Sequence, residues 1–311
     1  VSTQTVSAGS AHPEPQARSG QQPPATRPRR PRPTPKGGRQ GPWAKIQPAA
    51  VVIVTILTMG VPLWLVVVTA GKSQAEAVVP TMALPTQWRL WENFSEIWTR
   101  GDIPAGFVGS LLIMVPAVLA TLLLGAMASW ILARRSGRLN SLMYAAAISG
   151  LILPPAVVTV VLLLRQLGIA GTAIGMICVY MGIYLSTVIF FVTGFVRNIP
   201  LELEEAARMD GAGPVKIFAR IILPLLVPVL STATILICLY VWNDVFYAFF
   251  VLGGQMDTLP LNLFTVASAG LYLNNWHLIF AYVVLMSLPL LVVFMVFQRK
   301  IISGVTSGAV K

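Results

Sequence analysis

Four carboxylates, Glu202, Glu204, Glu205 and Asp210, fall within nine residues of "RNIPLELEEAARMDGAGPVKIFARIILP" (197–224), in a chain with eleven acidic residues. Clustered carboxylates can act as general acid and base, ligate a metal, or form a charged docking surface. The first two uses need partners that are missing here. His12 and His277 stand alone, and Cys178 and Cys238 lie inside apolar stretches, where they read as buried, inert thiols. No Ser/His/Asp set is placed to act on a bond. "VVVTAGKS" (66–73) ends like a phosphate-binding loop, but Val66 stands where the first glycine is required, so no ATP is expected there. A second polar group, Trp242, Asn243, Asp244 and Tyr247, combines aromatic faces, an amide and a carboxylate. That set suits a sugar. It equally suits an interfacial aromatic belt beside two side chains that satisfy local backbone.

The elements that position these groups follow from the charge pattern. The chain is 56% hydrophobic and only 11% charged, with a mean hydropathy of +0.75, against roughly a quarter charged in soluble domains. Uncharged runs cover 46–71, 103–133, 139–164, 166–196, 221–243 and 278–298. Each reaches the roughly 20 residues that a membrane helix needs, and none alternates as a barrel strand would. The expectation is therefore an all-α polytopic membrane protein with six transmembrane helices. Eighteen of the 22 basic residues lie in segments 1–45, 134–138, 197–220 and beyond 298, so the positive-inside rule predicts that both termini are cytoplasmic. The basic charge is thus topogenic and does not call for nucleic acid.

Residues 1–45, rich in Pro, Gly, Gln and Arg, cannot bury enough apolar surface to order themselves and are expected to be a disordered cytoplasmic tail ahead of a 46–311 transmembrane domain. A cleavable leader is not expected, because some 45 largely polar residues precede the first apolar run.

In the acidic segment, Pro200 suits a first helical position, and Glu202, Glu204 and Glu205 suit the positive end of a helix dipole. Ala206 and Ala207 offer a small surface for close contact. Gly211 and Gly213 break the helix, with Gly211 in a left-handed or otherwise strained turn, and Pro214 starts a second helix. The result is a helix–turn–helix on the cytoplasmic face. On the residues alone it is either a docking knob or an ordinary amphipathic interfacial helix.

The segment resembles the EAA loop of ATP-binding-cassette importer permeases: E-A-A, three residues, G, nine residues, then I-x-L-P. Glu205, Ala206, Ala207, Gly211, Ile221, Leu223 and Pro224 meet every fixed position. "NSLMYAAAISGLILPPAVVTVVLLLRQLGIAGTAIGMICVY", "YVWNDVFYAFFVLGGQMDTLPLNL" and "QRKIISGVTSGAVK" extend the likeness, over about 50–311, to the carbohydrate-uptake permeases, in particular the six-span partner of a maltose-type heterodimer.

The resemblance implies a type I ABC importer permease fold. The coupling loop would span about 198–220, with Glu204, Glu205, Ala206, Ala207, Asp210, Gly211, Ala212 and Pro214 at the ATPase. It implies four kinds of partner: a second permease subunit, two cytoplasmic ATP-binding subunits, an extracytoplasmic sugar-binding protein and the lipid membrane. It implies no cofactor in this chain, since ATP and Mg sit on the partner ATPase, and so a non-catalytic subunit. Span prolines Pro116, Pro154, Pro155, Pro224, Pro228 and Pro289 free backbone carbonyls where a pathway could bend. The adjacent Pro154 and Pro155, with Trp242, Asn243, Asp244 and Tyr247, are the candidate pathway residues. A secondary transporter or channel without an ATPase is the alternative. It would call for ionisable groups within the membrane, where only Asp244 and Arg165 come close.

Overall fold

The computed structural model describes residues 43–153, 155–268 and 275–309. The expected 1–45 tail falls almost wholly outside these residues, as does Pro154. Among the described residues there is no strand, so the all-α expectation holds. The chain divides into a unit ending at Val54 and a unit from Thr55 to Lys311. In the first, α1 (Trp43–Thr55) carries Val51, Val52, Ile53 and Val54, each more than half exposed. An exposed apolar helix surface suits hydrocarbon rather than water.

The second unit begins with a π-helical turn (Ile56–Gly60), followed by α2 (Val61–Ala70), α3 (Gln74–Ala77) and α4 (Leu90–Arg100). The long α5 (Ile103–Arg134) comes next, then α6 (Arg138–Ser149), α7 (Val157–Gln166) and α8 (Ala173–Val196). The acidic segment forms α9 (Glu202–Met209). After it run α10 (Pro214–Ile217), a second π-helical turn (Phe218–Ile222) and α11 (Leu223–Trp242). The remainder is α12 (Phe246–Leu252), α13 (Leu259–Ser268) and α14 (Trp276–Ala309).

Among the described residues, four helical stretches are long and apolar enough to cross a membrane: Ile46–Ala70, Ile103–Arg134, Ala173–Val196 and Pro214–Trp242. Val157–Gln166 and Trp276–Val292 are shorter apolar helices. The expected 139–164 span is not one helix: α6 stops at Ser149 and α7 starts only at Val157. Gly150 and Pro155 lie in that gap, and proline both lacks an N–H and pushes its predecessor out of the helical region. Pro155 is half-buried there, at a helix break rather than within a helix. Pro116, Pro228 and Pro289 do lie inside continuous helices.

Both π-helical turns sit just before a proline. Val61 N–H donates to Ile56 O and Leu223 N–H to Phe218 O, five residues back in each case, and Pro62 and Pro224 follow at once. A proline ring clashes with the carbonyl four residues earlier, and widening that turn gives the ring room without ending the helix.

The principal packing is α5 against α8. A Cβ on Gly125 would come within 2.5 Å of Val188 Cγ1, and Ser129 Oγ, fully buried, donates to Ile189 O at 3.4 Å. Small residues are what allow helices to approach closely where water supplies no hydrophobic drive. Further along α5, Gly109 leaves room for the Asp257 carbonyl, and Ser110 Oγ accepts from Leu259 N–H at 3.0 Å. Those contacts hold the start of α13 against α5. Cys178 is exposed on α8 and Cys238 half-buried, which corrects the expectation of buried thiols. An apolar run does not reveal which face of its helix meets protein.

The 71–89 segment is tied by polar groups. Lys72 is 2% exposed, and its Nζ donates to Thr81 O and Oγ1, both at 2.8 Å. The Glu76 carboxylate accepts from Thr86 Oγ1 (2.6 Å), Thr86 N–H (3.1 Å), Ser73 Oγ (3.2 Å) and Ser73 N–H (3.3 Å). These hydrogen bonds, led by those from Thr86, pull its pKa from 4.5 to about 2.

Candidate functional site

Helix α9 starts at Glu202, two residues after Pro200, because Leu201 O takes the first N–H groups, those of Glu204 (2.9 Å) and Glu205 (3.1 Å). Its three glutamates occupy the first turn, where unpaired N–H groups favour anions. The helix ends in a Schellman turn. Gly211, at φ +78°, donates to Arg208 O at 3.0 Å, and Ala212 N–H donates to Ala207 O at 2.9 Å. The expected left-handed glycine is therefore present. Nothing lies within 4 Å of a Cβ built on it, so backbone conformation and not space requires glycine.

Helical periodicity separates residues that the sequence reading had grouped as one docking surface. Glu204 and Ala207 are buried, whereas Glu202, Glu205, Ala206, Met209 and Asp210 are exposed. Glu204, 0% exposed, pairs with Arg134 at 2.7 Å and stands 3.6 Å from Arg208. Ala207 and the half-buried Ala212 join the core that includes Ile217 and Phe218. Glu204 and Ala207 thus face the bundle, while Glu205 and Ala206 face away.

Two residues that sequence reasoning missed sharpen that outer surface: Met209 is 88% exposed and Val215 82% exposed. Met209 follows Glu205 by four residues on one helical face, so an apolar residue among charges was the available signal. The second helix is also not a separate surface element. Pro214 begins a helix that runs through the π-helical turn to Trp242, so this span starts seven residues before the expected 221.

The other candidate group lies at the end of α11. Tyr184, Leu239, Tyr240, Asn243, Asp244, Val245 and Phe246 line an open cavity of about 640 Å³. Tyr184 and Tyr240 stack at 5.8 Å between centroids, 4° from parallel. Asp244 is committed on several sides: Oδ2 accepts from Tyr180 OH (2.9 Å) and Ala248 N–H (3.1 Å), and Oδ1 from Tyr247 N–H (3.2 Å). It caps α12 and keeps little acceptor capacity for anything else. Asn243 is exposed, with Nδ2 donating to Leu239 O at 2.8 Å.

Trp242 does not join them. It is 2% exposed, donates through Nε1 to Met286 O at 3.1 Å and meets Phe107 edge-on at 6.1 Å. Tyr247 is half-buried and does not line the cavity. Tyr184 and Tyr240 are the additional residues here. Lying within apolar runs, they carried no signal apart from being tyrosines.

The described residues thus form an all-helical architecture with four membrane-length helices and an acidic, glycine-terminated helix leading into one of them, which is the architecture of a polytopic membrane protein. Residues 121–307 match the family of binding-protein-dependent transport system inner membrane components, and the chain belongs to that family. It is similar to the melibiose/raffinose/stachyose import permease protein MelC of Bacillus subtilis, 37% identical over 227 residues, 71% of this chain and 81% of that protein. It is also similar to the diacetylchitobiose uptake system permease protein NgcG of Streptomyces coelicolor, 31% identical over 274 residues, 86% of this chain and 88% of that one. The fold matches a chain of a bacterial ABC transporter involved in import of the acidic polysaccharide alginate. The TM-score is 0.72 at 20% identity, covering 86% of this chain and 99% of that one.

Proposed function

We propose that this chain is one of two permease subunits of an ATP-driven, binding-protein-dependent sugar importer of the type I architecture, with a di- or oligosaccharide as cargo. The observation that carries the reading is the α9 turn. A buried side locks the helix to the bundle, and an outer side presents Glu205, Ala206, Met209 and Val215 as a compact knob that mixes one charge with small and apolar groups. The names of the relatives favour sugar, and the stacked Tyr184 and Tyr240 beside Asn243 offer aromatic faces and an amide to a sugar ring.

In this reading the chain crosses the membrane six times, with α6–α7 and α14 completing the count, and both termini and α9 lie in the cytoplasm. Two ATPase subunits receive the knob of this chain and that of its partner permease, and a sugar-loaded binding protein docks on the opposite side. ATP and Mg are bound by the ATPase, while this chain carries no cofactor and performs no bond chemistry.

The test is purification of the tagged chain in mild detergent, with mass measurement of what accompanies it. Vesicle uptake of labelled melibiose, raffinose and diacetylchitobiose, with and without ATP and binding protein, completes it. Uptake that needs both supports the proposal. Uptake that ignores ATP and follows a proton gradient would replace it with a secondary transporter.

A further inference from the structure

Arg134 closes α5, and its guanidinium is shared between two points of the acidic segment. Nε donates to Glu204 Oε1 at 2.7 Å, and Nη2 donates to the Ile199 carbonyl at 2.8 Å. The two acceptors flank the turn that enters α9, so the planar fork fixes its direction as well as its distance. Glu204 Oε2 has no hydrogen-bond partner and only the longer approach of Arg208, which leaves Arg134 as the main compensation for a fully buried carboxylate.

The next turn of α5 makes a second contact with the same region. The Trp130 ring lies 5.7 Å from that of Phe218, the first residue of the π-helical turn beyond Gly211. Helix α5 therefore holds the knob on both sides of its glycine, through an ion pair before it and an aromatic contact after it. From this end α5 continues into its tight packing on α8 at Ser129 and Gly125.

We propose that Arg134 is a positioning residue for coupling: its fork to Glu204 and Ile199 makes α9 and the end of α5 move as one body, so that displacement of the knob is delivered to α5 and on to α8. This rests on the importer reading above. It divides two adjacent glutamates by role, with Glu205 facing out toward the partner and Glu204 passing the movement inward. An apolar pair could hold the helix as firmly, but it would not fix the angle between the two elements as paired, directional hydrogen bonds do.

The experiment places spin labels at Ser136, just past α5, and at the exposed Leu203 on α9, in the assembled complex in lipid nanodiscs. Distances are read nucleotide-free and after trapping with Mg-ATP and vanadate. The native pair should give one narrow distribution, unchanged on trapping. With Arg134→Met the distribution should be about twofold wider and should shift on trapping.

A native distance that itself shifts on trapping overturns the inference, and so does an Arg134→Met distribution that matches the native one in both states. Arg134→Lys covers the case in which the Met variant does not insert. It keeps the charge but loses the fork, and should widen the distribution to a lesser extent; an unwidened distribution overturns the inference. ATPase subunits that fail to accompany the native chain would strike the importer reading instead. The nucleotide-free comparison of native and Arg134→Lys then still decides whether this pair holds α9 to α5.

Discussion

The rings of Tyr184 and Tyr240 stack 5.8 Å apart and 4° from parallel, joining α8 to α11 in the wall of the open cavity. Tyr240 is 57% exposed, so its outer face is free to take a flat, apolar sugar face. Aromatic packing of this kind is worth about 0.5–1.5 kcal/mol. Tyr240→Ala should raise the KM for sugar uptake by up to about tenfold, with insertion unchanged. Uptake kinetics in vesicles at matched protein content measure it, and an unchanged KM would remove this stack from the transport pathway.

Gly211→Val places a β-branched residue at φ +78°, where an L-residue costs about 1–2 kcal/mol, although space for its Cβ is open. Gly211→Asn should cost less, because Asn tolerates the left-handed region. Amide exchange at Ala212, whose N–H closes the turn, should quicken in the order Gly, Asn, Val. Uptake should fall in the same order.

Neighbouring alanines should fail differently. Ala207→Asp puts a charge into the packed side beside Glu204 and should lower the unfolding temperature of the purified chain. Ala206→Asp sits on the exposed side and should leave that temperature unchanged while ATPase subunits no longer copurify. Equal unfolding temperatures for the two variants would refute the division of faces.

The Glu76 clamp carries a pH signature. Its folded pKa, about 2, lies below the ordinary 4.5, so its contribution is complete above pH 4.5 and fades as pH falls toward about 2. An acid protease should cut residues 73–86 slowly near pH 4.5 and readily near pH 2. In Glu76→Gln, cutting should be equally fast across that window.

Topology is open to direct chemical test. Cysteines placed at the exposed positions Ser136 and Gly213 should resist an impermeant thiol reagent in intact cells, whereas one at exposed Gln87 should react. Labelling of Gly213 from outside would overturn the orientation and the coupling role together.

Local chemistry made part of this structure legible in advance. Gly-x-Gly-Pro after an acidic helix announced the left-handed turn at Gly211, and long charge-free runs announced α5 and α8. What escaped depended on distant partners. Glu204 turns inward because Arg134 waits seventy residues earlier, and Trp242 turns away from the cavity because the Met286 carbonyl lies forty-four residues later. The 139–164 run read as one span because Gly150 and Pro155 interrupt a helix without adding charge.

A π-helical turn inserts one extra residue into a helix, which rotates everything beyond it by about 100° relative to an unbroken α-helix. The turn at Phe218–Ile222 therefore resets the angular phase between Pro214–Ile217 and Leu223–Trp242. A helical wheel drawn straight through from Pro214 would assign Tyr240 and Asn243 to the wrong side. Deleting one residue within 218–222 should restore ordinary α-helix and keep the cavity-lining face of α11 toward Tyr184, whereas straightening the turn with no residue removed, as Pro224→Ala should favour, would swing that face a quarter-turn or more away. In this protein the orientation of a cavity at one end of a helix is set by a miscount of one residue near its other end.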